Sequence, residues 1–314
     1  MEDGFRLSGE RQGTLKQRAE LYLDINKPEL AVESALGSLR ENNKDAESYC
    51  ILAKAYNKLE EFFKAENAIL EALQLQPQND YYHYVYAIIL WNLQDNGEEE
   101  FKRAIELNCY VAYYYSSFAA HLIGIFGYER SHEAEEFCYR ALELEDFNTQ
   151  AHNILALIHM HRGQLWDAER EYLQSLKEEP NEPQVLNDYG VLLLRMESVK
   201  KGREVILQSL ALDPMNSNAE RNLLLSYKLD YSAFRFYYKF RNKIKSGGLG
   251  RRLLFYVIFI VLPYIPWLIK DFQEALRLPV YIFSIVYILA ILGFIFGAAA
   301  IGINARQKLL KRFF

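Results

Sequence analysis

Three histidines crowd one stretch of this sequence, His152, His159 and His161, and they are the first place to look for chemistry. On a helix His152 and His159 stand one heptad apart on one face, whereas His159 and His161 diverge by ~200° and cannot share an ion. No carboxylate or thiol motif faces them, so the spacing reads as packing and not as a zinc site. The acidic runs at 98–100 and 178–179 read as solvated helix ends, not as general acid–base pairs. The cysteines Cys50, Cys109 and Cys138 are odd in number and far apart, which argues against a disulfide framework or a metal knuckle. No phosphate loop, GxSxG elbow, HExxH pair or dinucleotide fingerprint is present. No catalytic residue, cofactor or metal is assigned, which leaves binding.

Binding residues need elements to hold them, and here the elements repeat. Helix ends of the ALxL type run into a turn at Asn43, Pro77, Cys109, Asp146, Pro180 and Pro214, in steps of 34, 32, 37, 34 and 34 residues. Within 46–79, Tyr49, Leu52, Ala53 and Tyr56 mark a first helix, and Ala65, Ala72 and Pro77 a second. The corresponding set in 149–182 is Leu155, Ala156, Ala168, Tyr172, Ser175 and Pro180; in 183–216 it is Gly190, Gly202, Ser209 and Pro214. Small residues let paired helices approach, aromatics fill the space between repeats, and proline stops the second helix.

This pattern resembles the tetratricopeptide-repeat family over residues 12–229. The resemblance implies an all-α solenoid of helix-turn-helix repeats, with five firm repeats at 46–79, 80–111, 112–148, 149–182 and 183–216. A degenerate repeat precedes them at 12–45, and a lone capping helix follows at 217–229. The repeat at 80–111 is two residues short around Asn96 and Gly97, and the one at 112–148 carries three extra around Gly127 and Tyr128. Both changes are expected to fall in loops between paired helices and leave the stack untouched.

In the family the first helices line a concave groove. The register puts Tyr81, Tyr84, Ile88 and Trp91 there, then Tyr113, Ser116 and Ala120. Next come Gln150, Asn153, Leu157 and Met160, then Gln184, Asn187 and Val191, with Arg221 from the cap. Aromatic side chains bury large area with few torsions to freeze, and Asn153 and Asn187 could hold the backbone of an extended peptide. Arrays that grip acidic chaperone tails use Lys and Asn on successive first helices. The comparable positions here read Cys50, Tyr84, Ser116, Asn153 and Asn187, followed by Lys54, Ile88, Ala120, Leu157 and Val191, without that cationic clamp, so an apolar segment or partner helix is the expected ligand.

Charge divides the chain. From Tyr231 onward thirteen basic residues face two acidic ones, a net +11; the remainder holds 23 basic and 39 acidic, a net −16. The back part contains two uncharged runs, 253–269 and 280–303. The second reaches ~36 Å as a helix, enough to cross a hydrocarbon core of ~30 Å. The first, broken by Pro263 and Pro266, either spans with Arg251, Arg252 and Lys270 snorkelling or is re-entrant. Basic clusters flank the pair and charges cancel between them, which places both termini and the array on the cytoplasmic side. Before the spans, Arg235, Lys239 and Lys243 share one helical face and Phe236, Tyr237 and Phe240 another. Interleaved basic and aromatic residues can read nucleic acid, but beside a span they predict an interfacial helix on anionic lipid, with no nucleic-acid partner.

The sequence therefore predicts a non-enzymatic, membrane-anchored scaffold that presents a protein-binding groove. The resemblance extends to bacterial inner-membrane proteins that assist assembly of envelope or secretion machinery. A C-terminal Lys311-Arg312-Phe313-Phe314 keeps an endoplasmic-reticulum membrane as the alternative address. A different class of function is an integral subunit packed through Gly293 and Gly297, where small residues let helices meet closely in lipid.

Overall fold

The computed structural model describes residues 14–232 together with 234, 235, 238 and 239. The described residues form thirteen α-helices and no strand. They are paired as α1 (Leu15–Asp24) with α2 (Pro28–Glu41), α3 (Ala46–Lys58) with α4 (Phe62–Leu75), and α5 (Asp80–Asn92) with α6 (Glu98–Leu107). Then follow α7 (Ala112–Phe126) with α8 (Ser131–Leu144), α9 (Thr149–Arg162) with α10 (Leu165–Glu178), and α11 (Pro183–Arg195) with α12 (Val199–Leu212). A single helix, α13 (Ser217–Lys228), closes the series. The degenerate first repeat is thus a complete hairpin, and six hairpins plus a cap make up the array.

Local chemistry sets these boundaries. A polar residue recurs just before several first helices and caps them: Asn79 accepts from Tyr82 N–H at 3.1 Å, Asn148 from Ala151 at 2.9 Å and Asn216 from Ala219 at 3.0 Å. Thr14 and Gln17 form a reciprocal capping box on α1. At the other end, α4, α10 and α12 stop at Leu75, Glu178 and Leu212, two residues before Pro77, Pro180 and Pro214. Proline disfavours helical geometry in its predecessor, so the break comes there. Inside each hairpin the chain reverses through one residue in the left-handed region, successively Asn26, Glu60, Gln94, Gly127, Gly163 and Glu197.

The two length variations behave differently from the expectation that loops alone would absorb them. In the short repeat the turn lengthens, to residues 93–97, while α6 is only 10 residues long, against 14 in α4. Asn96 receives the Glu98 N–H at 3.1 Å and starts α6 late. Gly97 then lies so close to α5 that an added Cβ would be 2.6 Å from the Ala87 carbonyl oxygen. In the long repeat most of the insertion extends α7 to 15 residues, because 122–126 continue its apolar helical pattern.

By compactness the chain divides within α9 into two units, Met1–Ile154 and Leu155–Phe314. The first has an alanine-rich core between α1 and α5. Beyond it Phe101 stacks on Phe118 at 5.4 Å, and Phe137 packs tilted against Phe118 at 4.6 Å. In the second, Tyr172, Tyr189 and Leu192 pack between α10 and α11, and Leu223, Tyr227 and Leu229 seal α12 against α13. Gly190 and Gly202 bring α11 and α12 into backbone contact: a Cβ on Gly202 would lie 2.9 Å from the Gly190 carbonyl oxygen.

Among the described residues no helix is long and apolar enough to cross a membrane. The expected spans at 253–269 and 280–303, with Gly293 and Gly297, lie outside the described residues. So do Phe236, Tyr237, Phe240, Lys243, Arg251 and Arg252 of the expected interfacial segment. The described residues 232, 234, 235, 238 and 239 are helical. Tyr238 is buried with Leu194 and Leu229, Arg235 Nε donates to the Leu229 carbonyl at 2.9 Å, and Lys239 pairs with Glu197 at 2.5 Å. Arg235 and Lys239, expected at the headgroups, are thus bonded to the end of the array.

Candidate functional site

Residues one repeat apart become neighbours on adjacent first helices, and the hydrogen bonds record this. Asn92 Nδ2 donates to Asn57 Oδ1 at 2.9 Å, Tyr114 OH to Asp80 at 3.0 Å, and Ser116 Oγ to Gln150 at 3.0 Å, each across 34 or 35 residues.

In the first unit the structure brings Tyr81, Tyr84 and Tyr113 together. Tyr84 is the hub, with ring centroids 6.1 Å from Tyr81, 5.1 Å from Tyr113 and 5.0 Å from Tyr114. Its hydroxyl meets Ser117 Oγ at 3.3 Å, and burial raises its pKa. Tyr113 stands out from the cluster at 41% exposure, and Lys54 Nζ lies 5.5 Å over the Tyr81 ring. These contacts leave an aromatic shelf with one open ring and a cation at its edge.

Trp91 is half-buried and packs edge-on to His121 at 5.6 Å, over the space left by Gly124, where a Cβ would fall 2.9 Å from the indole. Ile88 is also half-buried, and Ser116 is fully buried. Asn153 keeps a buried Oδ1 without a hydrogen-bond partner.

In the second unit Met160 is buried in the core, and Leu157 packs at its edge. Asn187, expected to hold a ligand backbone, is 2% exposed and already engaged: Nδ2 donates to Asp188 Oδ1 at 3.2 Å, and Oδ1 accepts from Asn222 at 2.9 Å. Arg221 is exposed but folds onto its own helix, to the Ser217 carbonyl at 3.3 Å and to Asn218.

Two residues here escape sequence reasoning. Asp188 accepts from Gln184 Nε2 at 3.0 Å and from Asn187, and burial pushes its carboxyl up to about 6. The signal was present: the equivalent places in earlier repeats hold Ile51, Val85, Ser117 and Ile154, all buried. His121 is 0% exposed, both ring nitrogens lack partners, and burial lowers its pKa. Only the tertiary packing of Trp91, Phe101 and Phe118 around it reveals that state.

Of the histidines singled out earlier, His159 is buried, His152 is half-buried and His161 is exposed. His159 is buried with Nδ1 3.0 Å from Gln164, and His152 Nε2 is 3.2 Å from the Asp146 carbonyl. Among the described residues no group of His, Cys, Asp or Glu could hold a metal. Burial raises the Cys50 thiol to about 12, far from the range of a nucleophile.

Comparison with known proteins gives the same architecture. Residues 46–79 match the Tetratricopeptide repeat family. No curated protein matches the sequence. Among solved structures, a chain of the APC/C hetero-tetramer Cut9-Hcn1 is similar at TM-score 0.61 and 15% identity. The match covers 68% of this chain and 42% of that one, so it spans less than half of that protein. PilW, a widely conserved type IV pilus biogenesis factor, is similar at TM-score 0.57 and 18% identity, over 68% of this chain and 100% of its own. TTC0263, a thermophilic TPR protein of Thermus thermophilus, is similar at 0.51 and 19%, over 57% and 97%. At these identities the likeness shows the fold alone, an all-α array of helix-turn-helix repeats.

Proposed function

We propose that this chain is a non-enzymatic scaffold that holds a segment of a partner protein on the first-helix face of its array, at the cytoplasmic side of a membrane. The observation that carries the reading is the aromatic shelf. Tyr113, 41% exposed, leans on Tyr84, whose ring also touches Tyr81 and Tyr114. An exposed ring on a rigid platform is preorganised to bury apolar surface on a ligand at small entropic cost. The membrane part of the proposal is supported by the two uncharged runs, 17 and 24 residues long, and by the net +11 around them.

Site-specific photocrosslinking in cells tests it, with the full-length protein carrying the probe at Tyr113 or at Phe63. Phe63 is 75% exposed on the second helix α4 and serves as the control for exposure alone. A discrete adduct from position 113, lost in the Tyr81→Ala background and missing from position 63, is expected. Adducts from 63 but not from 113 would move the binding face to the second helices and overturn the assignment.

A further inference from the structure

At the repeat position that Ile51, Val85, Ser117 and Ile154 fill with uncharged, buried side chains, α11 carries Asp188. Packing does not require an acid there, since uncharged residues serve the fold at four equivalent places. Each carboxylate oxygen accepts one bond from a neutral amide, Oδ2 from Gln184 at 3.0 Å and Oδ1 from Asn187 at 3.2 Å. Asn222 on α13 fixes Asn187 in turn, at 2.9 Å, so the next repeat braces the arrangement.

No cation completes it. Among the described residues Asp188 accepts hydrogen bonds from those two amides and forms no ion pair. Arg195, two turns further along α11, is committed to the Met160 carbonyl at 3.1 Å, and Arg221 to Ser217 and Asn218. An ionised carboxylate offers about four lone-pair sites. Two are used, which leaves one on each oxygen, the geometry that paired N–H donors of a cation match. Burial without an opposite charge disfavours the carboxylate, and the two amide bonds offset that only in part. Asp188 also keeps partial exposure, so a ligand group can reach it.

We propose that Asp188, braced by Gln184, Asn187 and Asn222, is a subsite that receives the lysine or arginine side chain of an extended peptide segment of a partner protein. The inference rests on the first-helix face being the binding face and adds a charge requirement to it. The net −16 of residues 1–230 would draw such a segment in.

The test is a random peptide library displayed on phage and selected against the full-length chain in mild detergent, with synthetic peptides from the winners titrated against variants. The expected result is a selected family with lysine or arginine at one position. Those peptides weaken by roughly tenfold or more on Asp188→Asn, the order of loss expected when one member of a desolvated charge pair is removed. Replacing that lysine by norleucine should cost the same factor against the wild type and nothing further against Asp188→Asn. Peptides that depend on Tyr113, carry no enriched cation and ignore Asp188→Asn would overturn the subsite and leave the binding face standing. A library yielding nothing sensitive to either Tyr113→Ala or Asp188→Asn would overturn both.

Discussion

Asp188→Asn offers a way to measure what the half-buried acid costs the fold, separately from any ligand. Lifting a carboxyl from 3.8 to about 6 corresponds to ~3 kcal/mol of lost stability once the group is ionised in both folded and unfolded chains. Asparagine has nearly the same shape and no charge. Its Oδ1 can keep one of the two amide donors, but its Nδ2 must face the other, at a cost of about 1 kcal/mol. The variant should therefore be more stable by ~2 kcal/mol near neutral pH, a rise of about 4–8 °C in the unfolding midpoint. The sign with pH follows from the raised value. The folded chain holds the Asp188 proton more tightly than the unfolded one, so the wild type gains on the variant as pH falls through 6 and stops gaining below 3.8. At the acid end only the lost hydrogen bond remains and the order reverses. Thermal unfolding of the full-length protein and the variant, followed by circular dichroism across this range, reads the difference directly. Other titrating groups such as His121 shift both proteins alike and cancel. Parallel curves, or a variant less stable at neutral pH, would show that a cation already neutralises Asp188 and would refute the reasoning. A fold that retains so unfavourable a group is trading stability for something, as binding sites commonly do.

Three further outcomes follow from the packing. His121 has a pKa below its ordinary 6.5, so stability should fall as pH drops through that value; His121→Phe should reduce the fall, leaving the part due to His161, and add about 1–2 kcal/mol near neutral pH. Urea unfolding at neutral and mildly acidic pH checks this, and an unchanged acid sensitivity would count against it. Gly190→Ala should gain ~1 kcal/mol of helix propensity yet lose more, about 1–3 kcal/mol, to overpacking. Its Cβ would sit 2.5 Å from Ile206 Cγ1 and 3.1 Å from the Gly202 carbonyl oxygen, so a raised unfolding midpoint would contradict the close approach of α11 and α12. In the hairpin turns, Gly163→Ala at φ +80° should destabilise by about 1 kcal/mol although nothing lies within 4 Å. Glu60→Gly at φ 60° should recover up to ~1 kcal/mol, net of the greater freedom of glycine when unfolded. Equal midpoints for all three proteins would show that the left-handed turn carries no strain.

Much of this protein is legible in one dimension. The steps of 34 residues, the small residues at Ala53 and Gly190, and the prolines at 77, 180 and 214 determine hairpin after hairpin, because each repeat meets only its neighbours and local signals suffice to place it. The clustering of Tyr81, Tyr84 and Tyr113 follows from the same arithmetic. What the period cannot give is which side chains are already spent. Asn187 reads as a free amide until Asn222, 35 residues on, is seen to occupy it. Trp91 reads as an anchor until Gly124 opens a bed for its indole. The shortened repeat reads as a clipped loop until Gly97 presses on Ala87 and α6 starts late. Sequence spacing determined the scaffold because helix formation and repeat stacking are short-range. Burial and hydrogen-bond occupancy depend on partners a full repeat away, and only the tertiary structure decided them.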